Sequence, residues 1–387
     1  MFKLKRHFLL DPSVTFLNHG SFGATPKPVY REYQRWQREL EKQPVEFLGR
    51  RATGLMAEAR AALGNYLGTH ADNLVYTQNV TVSLNIVARS LELGAGDEVL
   101  STNHEYGAMD RTWRFLSKER GFTYINQNIS LTPDPSPERR GETFVESFWR
   151  GVTPRTRVIF LSHITSPTAI IFPVKEIIER ARRANILTVI DGAHVAGQLS
   201  LQLDSLGADF YGGNLHKWLC APKGAGFLYA RPEVQHLLKP LVVSWGYESE
   251  TPSGSNFVDY NEWWGTRDLA AFLSVPAAIE FQEKHNWEAV RAECHQIACY
   301  SQEQICNLTG MSPLHPADDW FRQMTTAPLP VDTDIIALKE QLYDRHKIEV
   351  PLVAWNGNKL IRISVQGYNT RKDIVVLLNA LKALLPN

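Results

Sequence analysis

The sequence predicts an α/β protein with a smaller α+β part, and three observations carry that prediction. Short apolar runs at 187–190, 209–212 and 226–229 are β-branched or aromatic and bounded by Gly, Pro or polar residues, as buried strands are. Amphipathic helical segments alternate with such runs, and the one at 174–184 crosses back over the sheet between two of them. The 387 residues suffice for one large domain and a smaller partner with a sizeable core. The expected division is 17–260 for the large domain, with 1–16 and 261–387 forming the small one.

Composition narrows the function. Hydrophobic residues make up 44% and charged residues 21%, ordinary for a globular protein. Formal net charge is zero, so nothing global favours nucleic acid or an anionic membrane as partner. The first residues lack an apolar core of signal length, and no run of eighteen apolar residues occurs, so a cytoplasmic protein without a membrane span is expected. The four cysteines, 220, 294, 299 and 306, form no C-x-x-C pair. Reduced thiols and no metal site follow.

Taken in order, residues 16–23 (FLNHGSFG) hold the glycines of a tight backbone path, and Thr25 and Pro26 open a helix from about residue 29 to 48. Arg50 and Arg51 after it can fork a carboxylate or simply face solvent. A helix is expected over 56–67 and a strand over 74–76. That strand leads into Thr77-Gln78-Asn79-Val80-Thr81, where free backbone N–H groups and the helix dipole make an anion site; equally, Thr81 is placed to cap the helix to 91. A strand over 99–102 precedes His104 and Tyr106. Residues 131–141, with three prolines, read as a surface loop. A strand over 157–163 is followed by Ser166 and the crossover helix.

Asp191 closes the next strand, and Lys217 follows another, beside Trp218. A lysine there stays ionised only if it is paired, and otherwise serves covalently. Beyond residue 230 the chain reaches Gly265-Thr266, where Thr266 is placed to cap a helix over 269–284. Helices over 287–308, 333–345 and 371–385, with strands over 325–329 and 359–365, complete the small domain. Within its last strand, Arg362 has apolar neighbours and calls for a bidentate anion.

A carboxylate and a lysine brought together in this way suit pyridoxal phosphate (PLP), whose aldehyde is held by a lysine amine while an aspartate keeps the ring nitrogen protonated. D-G-A-H at 191–194 with H-K at 216–217 resembles the class V aminotransferases of fold type I, and FLNHGSFGATP at 16–26 is similar to the isopenicillin N epimerase-like branch. The resemblance implies a mainly parallel seven-stranded sheet sandwiched by helices, and a homodimer with active sites shared across the interface. It implies Lys217 as Schiff-base lysine and base, and Asp191 beneath the ring nitrogen. The cradle Asn79, Val80 and Thr81 would hold the phosphate, helped by Asn214, His216 and, from the partner, Thr266. His194 would reach the phenolic oxygen. Either His104 or Tyr106 would stack on the ring, with His104 taken first, and His163 or Ser166 could touch the ring. Asn18 and Arg362 would bind the substrate carboxylate, with Arg50 a further candidate.

The reaction so implied begins with removal of the α-proton of an amino acid. Return of a proton to the opposite face, from His104 or Tyr106, gives an epimerase or racemase. Loss of a side-chain substituent gives a C–S lyase, and protonation at the cofactor carbon an aminotransferase. A non-catalytic PLP or amino-acid binder is a further alternative, disfavoured because Lys217, Asp191 and Arg362 occur together. A cysteine desulfurase is disfavoured because residues 348–355 carry no thiol.

Overall fold

The computed structural model describes residues 4–129, 144–315 and 318–385. The loop expected over 131–141 lies outside them. Seven strands form the central sheet: β1 (Leu74–Thr77), β2 (Glu98–Thr102), β3 (Thr123–Gln127), β4 (Thr156–Ser162), β5 (Leu187–Gly192), β6 (Phe210–Asn214) and β7 (Gly226–Ala230). Their spatial order is β1-β7-β6-β5-β4-β2-β3. Only β7 runs against its neighbours; the remaining pairs are parallel. Six of the seven strands are legible in the sequence, and β3, an edge strand with two exposed side chains, is not.

Side-chain alternation divides the core into two. On one face Val75, Val99, Val158, Phe160, Val189, Phe210 and Leu228 pack with Leu84, Val87, Met109, Trp113 and Leu116. Those partners belong to helices α3 (Val80–Ser90) and α4 (Gly107–Arg120). The opposite face presents Tyr76, Leu100, Ile159, Leu161, Ile190 and Tyr211. It is covered by helices α2 (Ala52–Leu67) and α5 (Val174–Arg183) among others. A parallel sheet needs both faces covered, so its strands read as continuous apolar runs.

Helix α1 is Lys27–Lys42, shorter than the expected 29–48. Pro44 restarts the chain in a short turn, and Phe47–Arg51 is π-helical. The helix expected over 269–284 is split into Ala270–Leu273 and α6 (Val275–Lys284), with Pro276 near the start of α6. Thr266 does not cap either piece; Asp268 Oδ1 accepts from the Ala270 N–H at 2.8 Å. Next come α7 (Trp287–Thr309), α8 (Ile335–His346) and α9 (Arg371–Leu384). They pack with a three-stranded antiparallel sheet of β8 (Met324–Leu329), β9 (Leu352–Trp355) and β10 (Asn358–Ser364), ordered β9-β10-β8. The N-terminal residues Thr15 and Phe16 pair in parallel with Ile348 and Glu349. Among the described residues no helix is long and apolar enough to cross a membrane.

Candidate active site

The carboxyl ends of β1, β2, β4, β5 and β6 lead into one cavity of about 560 Å³, the position where open α/β sheets bind ligands. Its wall takes Gln78 and Asn79 from beyond β1, Tyr106 from beyond β2 and Ser162 from the end of β4. Asp191 and His194 come from β5 and its turn, Asn214 from β6, and His216 and Lys217 just after it.

Asp191 is 2% exposed. Its Oδ1 accepts from the Ala193 N–H at 2.9 Å, while Oδ2 is buried with no partner among the described residues. Burial pushes this carboxyl above the ordinary aspartate range, offset by the Ala193 N–H and by Lys217. An orphaned buried carboxylate oxygen is costly and calls for a donor from a ligand.

Lys217 Nζ lies 3.2 Å from His194 Nε2. Trp218 Nε1 donates to His194 Nδ1 at 3.1 Å. An indole nitrogen can only donate, so His194 carries its proton on Nε2 and gives it to the lysine nitrogen, which must then be a neutral amine. The electrostatics agree: burial first, then the Arg362 guanidinium, pull Lys217 below the usual lysine range. Burial likewise holds His194 well below the ordinary histidine range. His194 thus lines the cavity with its Nε2 at the lysine amine.

Helix α3 opens the opposite wall. Its cap is Asn79, whose Oδ1 accepts from the Val82 N–H at 3.1 Å, not Thr81. Asn214 Oδ1 accepts from the Val80 N–H at 2.9 Å, so Asn214 braces the helix start and the Val80 amide is already used. Thr81 lines the cavity, and its N–H and hydroxyl have no hydrogen-bond acceptor among the described residues. The approach is close: a Cβ on Gly226 would stand 2.8 Å from the Asn79 Cα. His216 lines the same side, its Nδ1 donating to the Ala225 carbonyl at 3.2 Å, and burial lowers it to about 4.

The structure separates His104 from Tyr106. His104 is fully buried away from the cavity, bonded to Thr168 Oγ1 at 2.9 Å and the Ile129 carbonyl at 3.1 Å, with its ring 4.3 Å from Trp355. With both nitrogens used and its face covered, it is a packed residue rather than the ring-stacking group expected first. Tyr106 is 41% exposed and lines the cavity. His163 is also withdrawn, bonded to the Tyr211 hydroxyl at 3.0 Å.

Arg362 is 6% exposed and stands directly behind the wall. Its Nη1 donates to the Ser166 carbonyl at 2.6 Å and Nη2 to Ser21 Oγ at 3.1 Å, while Nε is buried without a partner among the described residues. Asn18 does not reach the cavity: its Nδ2 donates to Glu349 at 2.9 Å and its Oδ1 accepts from Ser21 Oγ at 2.6 Å. It therefore acts on Arg362 through Ser21. Arg50 is exposed and outside the cavity, and Arg51 faces Glu39 and Glu46 at 3.7 and 3.5 Å. Thr266 is exposed and lines no part of this cavity.

Sequence reasoning missed two residues. Glu105 is buried, accepting from the Ser162 N–H at 2.9 Å, its hydroxyl at 2.6 Å and the Thr102 hydroxyl at 2.7 Å; burial raises it to about 8. His19 is fully buried beneath Lys217. A charged or ionisable residue inside an otherwise small or apolar strand-end motif is the signal that could have found both.

The residues fit pyridoxal phosphate. Asp191 Oδ2 lacks the donor that a protonated ring nitrogen provides, Lys217 offers a neutral amine, and Thr81 offers free donors at a helix start. No cluster of His, Cys, Asp and Glu among the described residues could hold a metal ion.

Comparison with known proteins gives the same reading. The family model for aminotransferase class-V matches residues 23–377. The chain is 37% identical to isopenicillin N epimerase of Amycolatopsis lactamdurans, with 97% of this chain and 96% of that one covered. It is 26% identical to a probable chloroplastic L-cysteine desulfhydrase of Arabidopsis thaliana, over 97% of this chain and 84% of that one. Among solved structures, the cystine C–S lyase C-DES in complex with cysteine persulfide superposes with a TM-score of 0.82 at 22% identity, covering 97% and 99% of the two chains. The fold is therefore that of the type I PLP enzymes, and the chain belongs to the aminotransferase class-V family.

Proposed function

We propose that the protein is a PLP-dependent enzyme that epimerises an amino acid at its α-carbon, in the manner of the isopenicillin N epimerases. The observation that carries the PLP reading is the pairing, in one cavity, of an orphaned Asp191 oxygen with a lysine amine that accepts from His194. When bound, PLP supplies an electron sink for the pair of electrons left on the α-carbon.

The chain's own residues divide the remaining work. Lys217, neutral because of burial and the Arg362 charge, takes the α-proton on its own side. Asp191, whose Oδ2 has no partner among the described residues, would accept from the ring nitrogen and keep it protonated. Thr81, with Asn79 as cap and Asn214 as brace, would hold the phosphate at the start of α3. Arg362 receives the substrate carboxylate by exchanging its bonds to Ser21 and Ser166 for two to the ligand. Tyr106 covers the other side of the cavity, and its hydroxyl returns a proton opposite Lys217.

A C–S lyase is the second reading, favoured by the desulfhydrase relative. Such chemistry does not require a thiol. None of the four cysteines lines the cavity, and burial pushes the nearest in sequence to Lys217, Cys220, up to about 12. A persulfide-forming desulfurase is disfavoured on that ground.

The active form is proposed to be a homodimer, with Thr266 reaching the partner's phosphate. Its exposed position outside its own cavity supports this. The pairing of Thr15 and Phe16 with Ile348 and Glu349 supports placing residues 1–16 with 261–387 in the small domain.

Incubation with a panel of amino acids in deuterated water tests the reaction. α-Deuterium with inversion supports the epimerase, and release of pyruvate with a sulfide or thiol supports the lyase. Tyr106→Phe separates the steps: solvent exchange at the α-carbon is expected to persist while inversion falls about 100-fold or more. Equal loss of both, or of neither, would remove Tyr106 from the second proton transfer.

A further inference from the structure

Lys217 is held at both ends by histidines, and only the one at its amine belongs to the reaction described above. The other, His19, is fully buried below the lysine backbone. Its Nε2 lies 2.9 Å from the Lys217 carbonyl and its Nδ1 2.9 Å from the Tyr368 hydroxyl. Gln366 Nε2 lies 3.2 Å from His19 Nε2, but its Oε1 accepts from the Gly367 N–H at 2.9 Å, so Nε2 is an amide donor and this is a packing contact beside the shorter bond to the Lys217 carbonyl.

Chemistry decides the proton positions. The Lys217 carbonyl can only accept, so a contact of this length requires a proton on His19 Nε2. Nδ1 is then an acceptor, and the Tyr368 O–H donates to it. In the other tautomer a nitrogen lone pair would face the carbonyl oxygen, which burial makes costly. Burial lowers His19 to about 3, so the ring stays neutral and the arrangement persists across the working pH range.

The same carbonyl accepts from the Cys220 N–H at 3.1 Å, closing the turn 217–220, in which Cys220 takes a left-handed φ of 64°. The His19 ring lies 5.1 Å from that of Trp218, whose indole orients His194. Gln366 and Tyr368 follow directly from β10, the strand that carries Arg362.

We propose that His19 is a positioning residue, which fixes the Lys217 backbone through its carbonyl and ties it to the chain segment that carries Arg362. The proposal rests on the PLP reading above. It makes the placement of the amine depend on a residue that touches neither substrate nor cofactor.

The test compares wild type with His19→Leu, His19→Gln and Tyr368→Phe. In ¹⁵N-labelled protein without cofactor, His19 should show a protonated Nε2, a bare Nδ1 and no titration over the stable pH range. On addition of PLP, His19→Leu should form the borohydride-trappable adduct at Lys217 about 10- to 100-fold more slowly, the scale expected of an ångström of misplacement. Its kcat should fall in step, with KM for the amino acid within about twofold of wild type. Glutamine keeps an N–H donor at a similar reach, so His19→Gln should recover most of the rate.

Should His19→Leu not fold, Tyr368→Phe removes only the hydroxyl that donates to His19 Nδ1, leaving that nitrogen buried without a partner, and should slow adduct formation in the same direction. Wild-type rates in a folded His19→Leu, or in Tyr368→Phe if His19→Leu does not fold, would overturn the proposal, as would a protonated Nδ1 with a bare Nε2. Absence of any adduct in wild type would instead overturn the PLP reading, and this proposal with it.

Discussion

At the scale of single residues, the site works by denying charges their usual solvation. Lys217 is pulled down by burial and by Arg362, and Asp191 is pushed up by burial. Lys217→Ala should carry no borohydride-trapped adduct by mass spectrometry and should lose at least about 100-fold in turnover, within the range for a positioned acid or base. A fully active variant would remove Lys217 from the mechanism. The Arg362 charge favours the neutral amine, so removing it must raise the lysine value. Arg362→Gln should therefore move the rising limb of adduct formation to higher pH, and separately raise KM for the amino acid about 10- to 100-fold through loss of charge-assisted bonds. An unshifted limb would show that the guanidinium does not act on Lys217.

At the scale of elements, the start of α3 must be rigid if its free donors are to hold a phosphate. Asn79 caps it and Asn214 braces it from the next strand but one in the sheet. Asn79→Ala removes the side-chain cap and should cost the cofactor-free protein about 1 kcal/mol. For a chain of this length that corresponds to a fall in Tm of roughly 1–2 °C. PLP affinity, read by fluorescence titration, should fall as well; unchanged affinity would place the phosphate elsewhere. The opposite wall is as closely fitted. Gly23 has a left-handed φ of 71°, and a Cβ there would stand 2.0 Å from the His216 carbonyl oxygen. Only glycine lets the N-terminal segment lie across the lysine turn.

At the scale of the whole molecule, the proposed dimer has a candidate contact in the segment after β7. Val243 and Trp245 are 69% and 86% exposed, with Val242 and Tyr247 nearby. Apolar surface of this kind, clustered along a few residues, marks an association site. Trp245→Glu should shift the sedimentation profile towards monomer and weaken PLP binding, because Thr266 of the partner would no longer reach the phosphate. A monomeric wild type with full PLP affinity would remove both the interface and the Thr266 role.

The layered fold and the PLP-enzyme family are legible in local stretches of the chain. Apolar strand runs, the Asp191 and Lys217 pair and the helix start at residue 80 are local patterns, set by burial and by backbone donors that a short stretch of chain specifies. Which polar side chains stay free depends on contacts between distant segments. His104 and Tyr106 are two residues apart, yet Trp355, Thr168 and the Ile129 carbonyl occupy the first and leave the second in the cavity. Asn18, Asn214 and His19 were likewise assigned by partners at least 134 residues away. A hydrogen bond between distant segments leaves no periodic trace in either, so a side chain's availability to a ligand is readable only after the chain has closed around it.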